Sequence, residues 1–226
     1  MQKVTVRCAR CSAKIKICKQ PGGSGPSFCP TLYNTDIITE ARGYYNPEWV
    51  QRFARNAAIQ EGQCYAAIDA PWPKDRVPIK PRVQETVEFA RKMKFTRLGI
   101  AFCDGLRKES ATLHSILEKN GFQVASVVCC VGGRPKEEIG IQDPQKIHPG
   151  GYESMCNPIA QALVLNAQKT EFNILIGLCV GHDSLFLRYA DAPCTVLIVK
   201  DRVLGHNPIA ALHVSNSYYS HIVPSS

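Results

Sequence analysis

The sequence predicts a doubly wound, Rossmann-like α/β sandwich of three layers. Four short apolar segments alternate with four segments of helical periodicity between residues 82 and 201. The apolar segments are continuously hydrophobic, which is typical of parallel strands that are buried on both faces. We therefore expect a mostly parallel sheet of about four strands with helices packed on both sides.

The elements follow one another in a regular order along this part of the chain. Gly121 ends the second predicted helix, since glycine favours the position just past a helix C-terminus. A long polar loop over residues 131–155 interrupts the pattern, and its length and glycine content are typical of a lid. The predicted elements are a helix over 82–94, a strand over 97–103, a helix over 105–121, a strand over 123–130, a helix over 157–170, a strand over 172–179, a helix over 182–190 and a strand over 195–201.

The residues before this pattern are expected to form a separate N-terminal region. Residues 1–32 are rich in cysteine and contain the stretch PGGSGPS, which excludes regular structure. A helix is predicted to begin at Pro47, with Asn46 as its N-cap. The proline-rich stretch PWPKDRVPIKP that follows predicts an extended connector. We expect an N-terminal metal-binding segment with a helix over 1–75 and the α/β domain over 76–226.

Composition and charge limit the classes of partner. No apolar run reaches the roughly 18 residues of a membrane-spanning helix, and the first residues lack the apolar core of a signal peptide. We therefore expect a cytoplasmic protein without a membrane partner. The net charge of +8 is scattered and lacks interleaved aromatic residues, so nucleic acid is not expected either. Eleven cysteines in a reducing compartment favour metal binding or thiol chemistry over disulfide bonds.

The first cysteine group has the spacing C-x2-C-x6-C-x10-C. Four thiolates can surround one tetrahedral ion, and a C-x2-C turn places two sulfur atoms on the same side. Neighbouring lysines and arginines would offset the charge of the thiolates. Zinc is the first choice, and an iron–sulfur cluster is the alternative, because Cys29-Pro30 has the Cys-Pro ending of ferredoxin motifs. The predicted metal ligands are Cys8, Cys11, Cys18 and Cys29.

A second cysteine group comes from segments that lie far apart in the sequence. Cys103, Cys129 and Cys179 stand at the ends of three predicted strands, and Cys156 opens a helix. The carboxyl ends of parallel strands meet at one edge of the sheet, where open α/β sheets bind their ligands. We therefore expect these four cysteines to form a second site, with a 4Fe–4S cluster as its candidate cofactor.

Polar side chains follow two of the same strands. His182 and Asp183 come after the third strand, and Lys200, Asp201 and His206 come after the fourth. Histidine, carboxylate and lysine are the groups that supply proton transfer and charge stabilisation in active sites. These five residues are therefore candidate catalytic residues, with either histidine as a base and either aspartate as the group that orients it.

The order of the motifs resembles an uncharacterised family of cysteine-rich proteins from anaerobic microbes. The segments concerned are CARC, GIAFCDGL, CNPIAQALVLN, GLCVGHD and VKDRVLGHNP. That family is regarded as metal-binding, so the resemblance implies metal binding without implying a reaction. Relatives carry Cys-Lys where this chain has Cys129-Cys130, which makes Cys129 the better candidate ligand.

The stretch GLCVGHD also resembles the nucleophile elbow of class I glutamine amidotransferases. This local resemblance implies that Cys179 is a nucleophile at a strand-to-helix turn, with the Val180 N–H in an oxyanion hole. Asp183 stands where that family has glutamine, and the His-x-Glu pair that completes its triad has no counterpart downstream.

Three functions follow from these observations. The first is a metal-binding protein whose second site performs redox or Lewis-acid chemistry on a small molecule. The second is a hydrolase or amidotransferase-like enzyme with Cys179 as its nucleophile. The third is a metal-stabilised sensor or binding module without catalysis. The missing His-x-Glu pair favours a metal ligand over a nucleophile at Cys179.

Overall fold

The structure is a computed structural model, and it describes residues 5–66 and 76–224. Its strands are β1 (Arg97–Phe102), β2 (Gln123–Val128), β3 (Phe172–Ile176) and β4 (Cys194–Ile198). They form one parallel sheet in the order β2-β1-β3-β4, which confirms the predicted α/β fold. The α-helices of the described residues are α1 (Pro30–Tyr33), α2 (Thr35–Gly43), α3 (Glu48–Gly62), α4 (Arg82–Met93), α5 (Arg107–Lys119), α6 (Pro158–Ala167), α7 (His182–Tyr189) and α8 (Ile209–His213).

The continuously apolar segments form the two central strands. Every residue of β3 is buried, and β1 is buried from Leu98 to its end. The edge strands β2 and β4 are more exposed, as strands with only one neighbour must be. Arg82 of α4 donates hydrogen bonds of 2.9 Å to the Val196 carbonyl and the Thr195 hydroxyl of β4, which partly covers that edge.

Helices cover both faces of the sheet and complete the three layers. On one face, Phe89 of α4 packs against Phe172 of β3 with ring centroids 5.6 Å apart, and α5 lies against β1 and β2. On the other face, α6 and α7 pack together and bury Leu165 and Phe186 against Leu175 of β3. The removal of these apolar side chains from water is the main force that holds the helices on the sheet.

The strand order places a topological switch point between β1 and β3. The chain runs from β1 outward to β2, and then returns to the other side of β1 to form β3 and β4. The connections after β1 and β3 therefore go to opposite faces of the sheet and leave a crevice at its carboxyl edge. Open α/β sheets bind ligands in such crevices.

The strands end earlier than the sequence predicts. The segment over 123–130 is a strand only to Val128, so Cys129 lies in the turn that follows. After β3, Gly177 adopts a φ of +63°, which turns the chain away from the extended conformation. The short helices α1, α2 and α8 were not predicted, because their residues are largely exposed and show no periodic burial.

The chain divides into two compact units, residues 1–59 and residues 60–226. The predicted domain boundary follows residue 75. Residues 67–75, which include the first part of the predicted connector, lie outside the described residues. Of the helices in the described ranges, none has the length and apolar content that crossing a bilayer requires.

Candidate functional site

Three cysteine thiols form a chain of interacting neighbours at the carboxyl edge of the sheet. Cys103 directly follows β1, Cys129 directly follows β2, and Cys156 stands two residues before α6. The thiol of Cys129 interacts with both of the others. The Asn157 N–H also donates to the Cys129 carbonyl across 2.6 Å, which joins the start of α6 to the end of β2. The structure therefore brings together three of the four cysteines predicted for this edge.

Backbone N–H groups point at two of these sulfur atoms. The turn after β1 directs the Asp104 N–H to the Cys129 Sγ across 3.4 Å, and the Gly105 N–H to the Cys103 Sγ. Successive N–H groups in a turn form a concave site that favours negative charge. The same turn thus supplies donors that stabilise thiolates over thiols.

Interactions among the three thiols order their acidity. The interaction with Cys129, together with burial, raises the pKa of Cys103. The interaction with Cys103 lowers the pKa of Cys129, but the interaction with Cys156 and burial outweigh it and raise that pKa to about 11. The interaction with Cys129 lowers the pKa of Cys156 despite burial. Cys156 therefore has the lowest pKa of the three thiols.

Cys179, the fourth predicted cysteine, lies beside this chain and has a different partner. It is in electrostatic interaction with Cys156, but its Sγ accepts a hydrogen bond from the Arg202 guanidinium across 3.1 Å. The turn that carries Cys179 requires glycine at position 177 for two reasons. The residue has a positive φ, and a Cβ there would lie 2.2 Å from Leu106 Cδ1, which is a clash.

The loop after β4 holds Arg202 in place. Asp201 accepts hydrogen bonds from the Val203 and Leu204 N–H groups at 3.0 and 2.9 Å, which closes a tight turn. The Asp201 N–H donates to His206 Nδ1, and the His206 N–H donates back to the Asp201 carbonyl. Asp201 and His206, both predicted as catalytic, are thus engaged with each other and with the loop backbone.

Lys200 lies across the crevice between β1 and β3. Its Nζ is 3.2 Å from the position a Cβ would take on Gly105, and its Cδ is 3.6 Å from the corresponding position on Gly177. Because these glycines follow β1 and β3, the lysine side chain spans the topological switch point. Its charge acts on the Cys103 thiol in the sense that favours the thiolate.

His182 and Asp183 begin α7, as the sequence predicts for this segment. Asp183 accepts hydrogen bonds from the Gly181 and Ser184 N–H groups at 3.0 and 2.7 Å. The His182 and Asp183 N–H groups both donate to the Cys179 carbonyl. These bonds close the turn around Cys179, and Asp183 already satisfies donors at the start of the helix.

Gln161 is a site residue that was not predicted. It is fully buried on α6, and its amide donates to the Phe102 carbonyl across 3.2 Å and to the Val127 carbonyl across 2.8 Å. It therefore links the ends of β1 and β2, directly behind Cys103 and Cys129. The available signal was a single glutamine within the apolar run PIAQALVL.

The loop over residues 131–155 connects Cys129 to Cys156 and is held by its own hydrogen bonds and ion pairs. The Met155 N–H donates to the Arg134 carbonyl at its base, and Lys136 pairs with Glu153 across 2.7 Å. Lys146, whose side chain is 5% exposed, pairs with Glu137 and Asp143. The predicted lid thus has its own ion-pair network; a closing movement remains a prediction.

The N-terminal cysteines are placed by short turns. The Cys11 N–H donates to the Cys8 carbonyl across 3.1 Å, which gives the expected C-x2-C turn. Cys29 is buried ahead of α1, so close to Gly25 that a Cβ on that glycine would lie 2.8 Å from its Sγ. Cys8 and Cys18 are exposed. A metal site formed by these four cysteines remains a prediction.

The thiols at the sheet edge are of the type that binds thiophilic metals, but they are not arranged around one ion. Across residues 5–66 and 76–224, no three His, Cys, Asp or Glu side chains are arranged as the ligands of one ion. Nevertheless, adjacent thiols, N–H groups directed at sulfur and nearby cations are what metal–thiolate sites use to hold and tune their metal.

Comparison with known proteins identifies the family of this chain. Residues 29–197 match the family described as "Protein of unknown function (DUF1847)", a range that includes all four sheet-edge cysteines. An uncharacterized protein (MJ0455) of Methanocaldococcus jannaschii is 47% identical over 140 residues, which are 62% of this chain and 69% of that protein. No solved structure matches the chain. These matches confirm the resemblance to an uncharacterised microbial family: the chain belongs to the DUF1847 family.

Proposed function

We propose that this protein is a metal-binding protein, and that the thiols of Cys103, Cys129, Cys156 and Cys179 bind a thiophilic ion or an iron–sulfur cluster. The observation that supports this most is the chain of neighbouring thiols at the carboxyl edge of the sheet, in which the Cys129 Sγ accepts the Asp104 N–H across 3.4 Å. Thiolates are the ligands that zinc and iron–sulfur clusters prefer. The predicted N-terminal site of Cys8, Cys11, Cys18 and Cys29 is part of the same proposal.

The residues around the thiols have distinct tasks in this proposal. The N–H groups of the turn after β1 offset part of the rise in the pKa of Cys103 and Cys129, and so favour their thiolates when a metal binds. Gln161 keeps the ends of β1 and β2 together, and Lys200 offsets negative charge. A bound metal would supply Lewis-acid or electron-transfer chemistry at the crevice. The chain itself contributes the crevice at the topological switch point, where a small molecule would bind.

Metal and sulfide analysis after anaerobic purification tests the proposal. We expect bound zinc or iron in the wild-type protein and its loss from the sheet-edge site in Cys129→Ser. Cys130→Ser is the matched control, because this neighbouring cysteine takes no part in the interactions among the thiols of the described residues. Equal metal content in both variants would refute the sheet-edge site. Zinc without iron or sulfide would exclude the cluster and leave an ion.

A nucleophilic role of Cys179 is the second candidate function. The supporting observation is its position in the turn before α7, with the Arg202 guanidinium on its sulfur. His206, a candidate base, uses its Nδ1 to accept the Asp201 N–H. Selective alkylation of Cys179 near neutral pH in metal-free protein, with wild-type metal content in Cys179→Ala, would favour the nucleophile over the ligand.

A further inference from the structure

Two cations at the sheet edge have no carboxylate partner. Neither Lys200 nor Arg202 forms an ion pair within the described residues, although Lys200 is only partly exposed. An ammonium group that is partly removed from water is stabilised by a nearby negative charge. The sulfur of Cys179 partners one guanidinium N–H group, which leaves other donors of the five on Arg202 for a further acceptor.

The carboxylates close to these cations are committed to other groups. Asp104 pairs with Arg107, with a hydrogen bond of 3.1 Å from Nε. Asp183 accepts N–H groups at the start of α7, and Asp201 accepts N–H groups in its own turn. Lys200 and Arg202 are thus left without a carboxylate partner in the described part of the chain.

The two cations also stand at the position where this topology binds ligands. Lys200 spans the switch point between β1 and β3, over two glycines that leave room for it. The turn formed by Asp201 and His206 orders the backbone at Arg202, and the hydrogen bond to the Cys179 Sγ brings its guanidinium to the turn after β3. A guanidinium and a lysine ammonium form a donor set that recognises carboxylate and phosphate groups.

We infer that this crevice binds a small molecule carrying a carboxylate or phosphate group, with Lys200 and Arg202 as the residues that hold the anion next to the thiols. This inference rests on the proposed metal-binding function, because the bound molecule can be acted on by a metal only if the thiols hold one. The anion would be oriented so that the rest of the ligand faces the thiols, which is where a metal would act on it.

Calorimetric titration with malonate and with inorganic phosphate tests the inference on the purified full-length protein. Malonamide, an uncharged analogue of malonate, is the ligand control and should not bind. We expect Lys200→Gln and Arg202→Gln each to weaken binding of the preferred anion by roughly tenfold, the effect of one lost charge-assisted hydrogen bond. Arg188→Gln removes the same charge at the far end of α7 and should leave binding unchanged.

The outcomes separate this inference from the proposed function. A preference for malonate or for phosphate identifies a carboxylate or a phosphoryl ligand, and either result supports the inference. Binding of neither anion, or equal weakening by Arg188→Gln, overturns it. Metal content is measured on the same samples: loss of anion binding with wild-type metal content locates the effect at the cations. Wild-type metal content in Cys129→Ser with intact anion binding would instead defeat only the proposed function.

Discussion

The Arg202 guanidinium in the loop after β4 donates a hydrogen bond to the Cys179 sulfur in the turn after β3, across 3.1 Å. This contact joins two loops that are stabilised separately, one by Asp201 and the other by Asp183. It also distinguishes Cys179 from the other three thiols of this edge, which accept no guanidinium N–H group in the described residues. The site therefore has a thiol chain on one side of the switch point and a thiol–guanidinium pair on the other.

This division predicts a graded effect of cysteine substitution on metal binding. Cys129 interacts with two neighbouring thiols and accepts one N–H group, so Cys129→Ser should release metal most completely. Cys179→Ser should weaken retention less, because its sulfur already has Arg202 as a partner. The measurement is metal retained per protein during dialysis against a chelator. Faster release from Cys179→Ser than from Cys129→Ser would contradict this order.

Substitution of Gly177 should destabilise the site turn strongly. In Gly177→Ala the new Cβ meets Leu106, and the residue must keep a positive φ, so we expect a loss of about 2–4 kcal/mol in the free energy of unfolding. Gly181→Ala is the matched control: its φ is also positive, at +85°, but a Cβ there has open space. We expect about 1 kcal/mol for the control. Denaturant unfolding gives both values, and equal losses would show that the Leu106 contact is unimportant.

Gln161→Leu should lower both stability and metal affinity. The change removes the only side-chain amide seen to bridge the Phe102 and Val127 carbonyls in the described residues, at a cost of about 1–3 kcal/mol. Loosened strand ends should weaken metal binding by roughly 10–100-fold, as for other residues behind metal ligands. Gln168→Leu makes the same change at an exposed position of the same segment. Wild-type metal affinity in Gln161→Leu would show that Gln161 serves stability alone.

Acid should loosen the loop over residues 131–155 before it unfolds the sheet. The ion pair with Lys136, together with the Ile147 N–H, lowers the pKa of Glu153 despite its desolvation. A carboxyl whose pKa is lowered in the folded state stabilises that state fully at pH values above its ordinary pKa of 4.5. This stabilisation is lost as the pH falls from 4.5 through the lower pKa of the folded state. Hydrogen exchange of the loop amides should therefore show a loss of protection on acidification.

Glu153→Gln should bring most of that loss of protection to neutral pH. The same substitution at Glu138, which pairs with Arg134 on the exposed side of the loop, should have little effect. If both variants keep wild-type protection at neutral pH, the Lys136–Glu153 pair does not hold the loop.

Much of this arrangement is predictable because parallel strands share one carboxyl edge. The apolar runs around Ile100 and Ile174 indicate central strands, and the cysteines behind them must then arrive at that edge. The hydrophobic pattern of the sequence does not predict the path of each loop. The bond from Arg202 to Cys179 and the bridge made by Gln161 depend on backbone turns that form only when distant segments pack together.

X-ray absorption spectroscopy of the bound metal tests the central proposal most directly, when it is performed on a variant in which Cys8, Cys11, Cys18 and Cys29 are replaced by serine. The sheet-edge thiols then remain as the proposed donor set. We expect this variant to bind zinc or iron with predominantly sulfur ligands, and Cys129→Ser in the same background to lose that signal. A protein that binds no metal once the N-terminal cysteines are replaced, or that binds it through nitrogen and oxygen alone, would contradict a thiolate metal site at the sheet edge.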